Sequence, residues 1–202
     1  METGAIHGDS HIGGTGTADP GAAVMAGGPA AAPYLPNDNA PHATLPVRPT
    51  DRAVRAGCLV LARLWRLTGL RNASGALRHY LGGTGETYRI DASTLVALPP
   101  VRAAVNTRLM EAEAGRWSHR DTWHGVTVTP ATSLDWWLAV RGVQFRVERP
   151  NPDFYRVEFH KTWNFDRGES AFGIPFTLFA RLHETGLAWE FVAVGRTGYL
   201  PR

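Results

Sequence analysis

The chain has 202 residues, 44% hydrophobic and 10% aromatic, with 21 basic and 18 acidic side chains and a net charge of +3. That length favours one domain with or without a tail, and the single cysteine, Cys58, excludes an intramolecular disulfide framework and a multi-cysteine zinc site. So mild a charge, without a finger or RNP-like motif, gives no ground for a nucleic-acid partner.

Residues 1–48 are rich in Gly, Ala, Pro and Thr and have no periodic apolar spacing, so they are expected to form a disordered tail. The chain begins Met1-Glu2-Thr3-Gly4, with no basic segment ahead of an apolar one, which is not a signal peptide. No apolar run reaches the roughly 18 residues of a transmembrane helix. A cytoplasmic protein is expected, open to export by a specialised secretion or injection system. Lys161 is the one lysine beside twenty arginines, and because arginine codons are GC-rich this, with abundant Ala and Gly, leads us to expect a GC-rich bacterial genome.

Residues 49–202 read as one α+β domain, mainly helical over 49–115 and mainly β over 116–202. The first helix is expected to start near Thr50 or Asp51, with Thr50 as N-cap. Val54, Cys58, Leu61, Leu64, Trp65 and Leu67 then fall at helical spacing between five arginines. Such a basic amphipathic helix packs on a core, lies on an anionic membrane or docks on a partner. Cys58, inside the apolar run, reads as a small buried hydrophobe. A short helix over Ser74–Leu81 leads into Gly82-Gly83-Thr84-Gly85 and a strand-like Thr87–Ile90. Glycines that follow a helix and precede a strand are in the wrong order to cradle phosphate, so they read as a helix stop and turn. Asp91 or Ser93 can cap what comes next, Pro99-Pro100 interrupt it, and a helix is expected over Val101–Ala114, ended by Gly115.

The period then changes to two. Val143, Phe145 and Val147 alternate with polar residues, as do Tyr155, Val157 and Phe159, and Pro150–Asp153 lies between them as a turn. These are the strands of an antiparallel hairpin with one wet face. Trp136 and Trp137 are read as strand neighbours facing opposite sides. A late helix is expected to begin at Pro175, with Phe176, Phe179, Leu182 and His183 on one face and Gly186 just past its end. Leu187–Val194 closes the sheet, and Phe159 and Phe179 are expected to join hairpin to helix.

The densest polar and aromatic cluster runs from His160 to Glu169. His160 and Asp166, with His183 and Glu184 on the late helix, are sufficient parts for general acid–base work, and Trp163, Asn164 and Arg167 are candidate binding residues. The same cluster also suits a structural turn, because Asn164 and Asp166 bond their own backbone readily. Four tryptophans between Trp117 and Trp137 supply either core or a flat ligand face. No HExxH, HxH or Cys–His spacing points to a metal, no GxSxG to a nucleophile, and no fingerprint to a cofactor.

The order Trp163-Asn164-Phe165-Asp166-x-Gly168, then Leu182-His183-x-x-Gly186-Leu187-Ala188-x-Glu190-Phe191 and Gly195, resembles the carboxy-terminal domain of a group of largely uncharacterised actinobacterial proteins of polymorphic-toxin or secreted-effector type. His79–Glu86 resembles a segment that precedes such domains. Lys161 departs from the pattern, standing where an acid is expected, and no catalytic residues are carried over. The resemblance implies a toxin-like or effector-like bacterial domain with a protein partner or assembly as its context. A non-catalytic structural or interaction module is the alternative.

Overall fold

The first helix, α1 (Pro49–Leu67), begins one residue before the Thr50 that composition suggested as its cap. Pro49 occupies the first helical position, where a missing N–H costs nothing. The Asp51 carboxylate reaches back to the Arg48 N–H at 2.8 Å, leaving Thr50 inside the helix. Helix α2 (Arg71–Gly82) has no capping side chain of its own. Its first amides are met from a distance by Asp135, whose two oxygens accept from the Asn72 and Ala73 N–H groups at 3.2 and 2.8 Å. The computed structural model describes residues 39–202 apart from 168, 172 and 173, so the expectation for residues 1–38 lies outside the described residues.

Strand β1 (Tyr88–Arg89) follows, then α3 (Ala92–Val96), capped by Asp91 through the Ser93 and Thr94 amides. The chain breaks at Pro99 and Pro100 as expected, α3 ending just before them, but the prolines belong to the next helix. They open α4 (Pro99–Glu113), because proline is tolerated throughout the first turn. After β2 (His124–Thr127) comes the clearest departure from the sequence reading. Trp136 and Trp137 lie in a helix, α5 (Leu134–Val140), started by Ser133, whose hydroxyl accepts from the Trp136 N–H. Seven residues are too few for helical spacing to override the β-propensity of paired tryptophans in a one-dimensional reading.

The hairpin is as expected but longer: β3 (Gly142–Asn151) pairs antiparallel with β4 (Phe154–Trp163), Phe145 opposite Phe159. Asn151 turns the chain, its Oδ1 accepting from Asp153 and Phe154. A small ribbon, β5 (Ser170–Ala171) with β6 (Ile174–Pro175), places Pro175 ahead of α6 (Thr177–Glu184), which starts two residues later than expected. Then come β7 (Phe191–Arg196) and β8 (Leu200–Pro201).

The main sheet runs β1-β7-β4-β3-β2, with β8 pairing one end of β4. All pairings are antiparallel except β1 with β7, so this α+β sheet is mixed. Val143, Phe145, Val147, Val157 and Phe159 point inward and pack on α3, α4 and α5. A second cluster joins α1, α2 and α6 to Trp163, Phe191 and Ala193. Phe159 belongs to the first cluster. Phe179, stacked on Phe165 at 4.4 Å, belongs to the second, so these two phenylalanines do not join the hairpin to the late helix.

Candidate functional site

Residues 39–45, read from composition as the end of the tail, lie along the C-terminal end of α6. The Ala43 and Leu45 N–H groups donate to the His183 and Glu184 carbonyls at 3.2 and 2.8 Å, and the Ala40 N–H donates to Glu184 Oε1 at 3.0 Å. Asn39 Nδ2 donates both to the Phe165 carbonyl and to Glu190 Oε1, at 2.8 and 2.7 Å. A helix C-terminus leaves its last carbonyls short of intrahelical donors; the strap supplies one to Glu184 and adds a second, beside the Gly186 N–H, to His183. Gly186 has φ +72°, and a Cβ there would meet the Ala43 Cβ at 3.0 Å, so the strap's approach needs glycine.

The strap's His42 ring stacks on the Trp189 indole with centroids 3.7 Å apart. Trp189 also packs against Gly85, where a Cβ would come within 2.9 Å of the ring. Between strap, Gly85, the end of β4 and the start of β7 lies a cleft of about 390 Å³. Thr162, His183, Trp189, Glu190 and Val192 are among its lining residues.

His183 is 8% exposed. Its Nδ1 accepts a hydrogen bond from the Glu190 N–H at 3.2 Å, which assigns the neutral ring's proton to Nε2. Nε2 faces Glu190 Oε2 at 4.0 Å. Burial pulls the His183 pKa below its ordinary value; the Glu190 carboxylate opposes that shift and His42 adds to it. Thr162 is also 8% exposed, and its hydroxyl is buried with no protein partner, as is Nε2 of His42. A buried hydroxyl without a partner costs about 1–3 kcal/mol unless something bonds to it. An imidazole held neutral with a carboxylate beside it, in one cleft, is equipped to bind a polar group and to take or give a proton there.

No family model matches this chain. No curated protein is similar to it in sequence. Among solved structures a weak neighbour is PaeM, a colicin M-like bacteriocin produced by Pseudomonas aeruginosa, at 19% identity and a TM-score of 0.36. The match covers 65% of this chain and 49% of that one, so it spans about half the length of the bacteriocin.

Of the residues singled out in the sequence, His183 lines the cleft, and the others lie around it in separate roles. Glu184, 1% exposed, is clasped by the Arg167 guanidinium through Nε at 3.1 Å and a second contact from Nη2. Burial works to raise the Glu184 pKa, but Arg167 and the Ala40 amide hold it below the usual carboxylate range. Arg167 and Glu184 therefore tie the 164–167 loop to α6 and the strap. Asp166 accepts from Asn164 Nδ2 at 2.9 Å. Trp163 is core: its indole N–H donates to the Ala139 carbonyl at 2.5 Å and its ring stacks on Phe191. His160 lies on the outer face of β4, packed edge-on to Trp123, with Nδ1 buried and unpartnered and its pKa lowered by burial. Lys161, on the inner face, has its ammonium pKa lowered by desolvation, against the pull of Asp166 and Glu169.

Thr162, Glu190, His42 and Trp189 were not among the expected site residues. Glu190 was within reach, since it follows His183 by seven residues across the Gly186 turn. Thr162 gives no sequence signal, and His42 sits in a segment whose composition reads as tail. Among the described residues no group of three or more His, Cys, Asp or Glu side chains is arranged to hold a metal ion.

Proposed function

We propose that the chain is a toxin-like or effector-like bacterial domain whose target enters the cleft beneath the strap, where His183 and Glu190 act as an acid–base pair. The observation that carries this reading is the approach of His183 Nε2 to the Glu190 carboxylate, at 4.0 Å, in a cleft that Thr162 also lines. The order of residues from Trp163 to Gly195, which resembles toxin-type carboxy-terminal domains, supports the toxin-like part. Asp166 and His160 flank this site as further candidates, one on the adjoining loop and one two residues before Thr162 on the same face of β4.

Expression of the full chain in a bacterium, in the cytoplasm and separately directed to the periplasm, tests the proposal by growth. The parent is expected to arrest growth in at least one compartment. His183→Asn keeps an acceptor for the Glu190 amide, and Glu190→Gln keeps the side chain's shape. Both variants should fold, by circular dichroism and thermal midpoint, and lose toxicity. Folded variants that remain fully toxic would take the cleft out of the mechanism, and a parent harmless in both compartments would end the toxin-like reading. Asp166→Asn, run beside them, decides whether the loop carboxylate contributes. The interaction-module alternative gains if the variants bind a partner as the parent does.

The lowered His183 pKa has a sign. The folded state favours the neutral ring, so the unfolded chain binds the extra proton between the folded pKa and the ordinary value of about 6.5. Stability should fall as pH drops below about 6.5, and His183→Asn should remove that part of the slope.

A further inference from the structure

Residues 52–85 contain six arginines and no aspartate or glutamate. In the fold this acid-free stretch is the α1–α2 hairpin. Arg55 is engaged, donating to the Leu187 and Leu81 carbonyls at 2.9 and 2.8 Å. Arg52, Arg63, Arg66, Arg71 and Arg78 are exposed, and none has an ion-pair partner among the described residues. Val60, Leu64 and Leu67 are 53%, 52% and 82% exposed. Their spacing puts them on one face of α1, with Arg63 and Arg66 beside them. Where α1 meets α2, Arg63, Arg66, Leu67 and Arg71 line a shallow groove of about 620 Å³. The amides at the start of α2 are already taken by Asp135, so the groove's charge comes from arginine side chains.

Apolar side chains in open water beside unneutralised guanidinium groups match the boundary layer of an anionic bilayer, where acyl chains begin and phosphates lie just above. Arginine forks pair with phosphate oxygens in two-point geometry, and leucines enter the hydrocarbon edge. Among the described residues no helix is long and apolar enough to cross a membrane, so this face would lie on the surface. We infer that the outer face of α1, with the groove at its junction with α2, is a docking surface for membranes rich in anionic phospholipid. This surface is separate from the cleft and stands whether or not the cleft is catalytic.

The test is co-sedimentation of the full chain with vesicles of phosphatidylcholine alone and with phosphatidylglycerol mixed in. Binding is expected only to the anionic vesicles and should weaken as salt shortens the Debye length from ~10 Å at 0.1 M to ~3 Å at 1 M. Each exposed arginine near such a surface contributes about a fivefold gain in partitioning, so Arg63→Gln/Arg66→Gln/Arg71→Gln together should lose roughly a hundredfold. Leu67→Ser should lose about tenfold. Arg149→Gln, a single charge removed at the hairpin tip, should match the parent. Equal binding to neutral vesicles, or a triple arginine variant that binds as the parent does, would overturn the inference. So would capture by a nucleic-acid duplex as tight as by anionic vesicles, which would make the face a general polyanion site. A dimer that Leu67→Ser dissolves, without vesicle binding, would assign the face to a second copy and also overturn it. Because these side chains are exposed, the variants should keep the parent's circular dichroism spectrum.

Discussion

The outer face of the sheet and the outer face of the α1–α2 hairpin are both rich in arginine, yet they treat it in opposite ways. On the sheet, Glu158 accepts from Arg146 at 2.6 Å and Arg120 at 3.0 Å and pairs ionically with Arg196 at 3.0 Å, while Glu148 accepts from Arg156 at 2.7 Å and Arg196 at 3.1 Å. The register makes these pairs: Glu158 lies opposite both Arg146 and Arg196, and Glu148 opposite Arg156. Arg146 also covers the Trp123 ring at 4.4 Å and Arg156 the Tyr199 ring at 4.9 Å. On the hairpin the arginines have no acid to meet. Arginine on the sheet is thus a structural residue, whereas Arg52, Arg63, Arg66, Arg71 and Arg78 on α1 and α2 have no ion-pair partner among the described residues.

That contrast can be broken by experiment. Glu158→Ala removes the ion-pair partner of three guanidinium groups, one of them only 12% exposed, and should cost about 3 kcal/mol in urea unfolding. A loss below about 1 kcal/mol would mean the ladder is worth no more than an ordinary surface pair. Acid should find the same groups. Burial acts to raise the Glu148 and Glu158 pKa values, but their arginines bring both below the usual range. A carboxylate with a lowered folded pKa stabilises above its unfolded value and loses that contribution as pH falls through the folded one. The thermal midpoint should therefore decline as pH drops below about 4, and Glu148→Gln/Glu158→Gln should flatten the decline. The smallest effect is expected on the helices. Arg63→Gln/Arg66→Gln/Arg71→Gln should change stability by less than about 0.5 kcal/mol in the absence of vesicles.

The sheet was legible and the cleft was not, for reasons that lie in the distances involved. Alternation along Val143–Glu148 and Phe154–Lys161 is a local pattern with period two, and a buried inner face imposes it residue by residue. Helix starts were less visible because two of them depend on side chains other than the residue just before the helix. Asp51 caps α1 by reaching backward, and Asp135 caps α2 across 63 residues. Trp136-Trp137 looked like strand because nothing local says that Ser133 will start a turn of helix there. Within the candidate site, His183 was legible as a histidine on an amphipathic helix. Its partners come from the strap, from the end of β4 and from beyond the Gly186 turn, and only the closed fold brings Asn39, Thr162 and Glu190 to it.

The one parallel pairing in the main sheet has a consequence for how the domain acquires its shape. Tyr88 aligns with Ala193 and Arg89 with Val194, so the edge strand contributed by the helical part of the chain finds its partner near the opposite end. Closing so long a loop must precede the contacts that reward it, so this pairing is expected to form late and slowly in folding. It also makes the helical and β segments dependent on one another. A chain cut at the Gly115 turn would leave β7 with an unpaired edge on one fragment and Tyr88 with no sheet on the other, and neither piece would keep the second core cluster that both build.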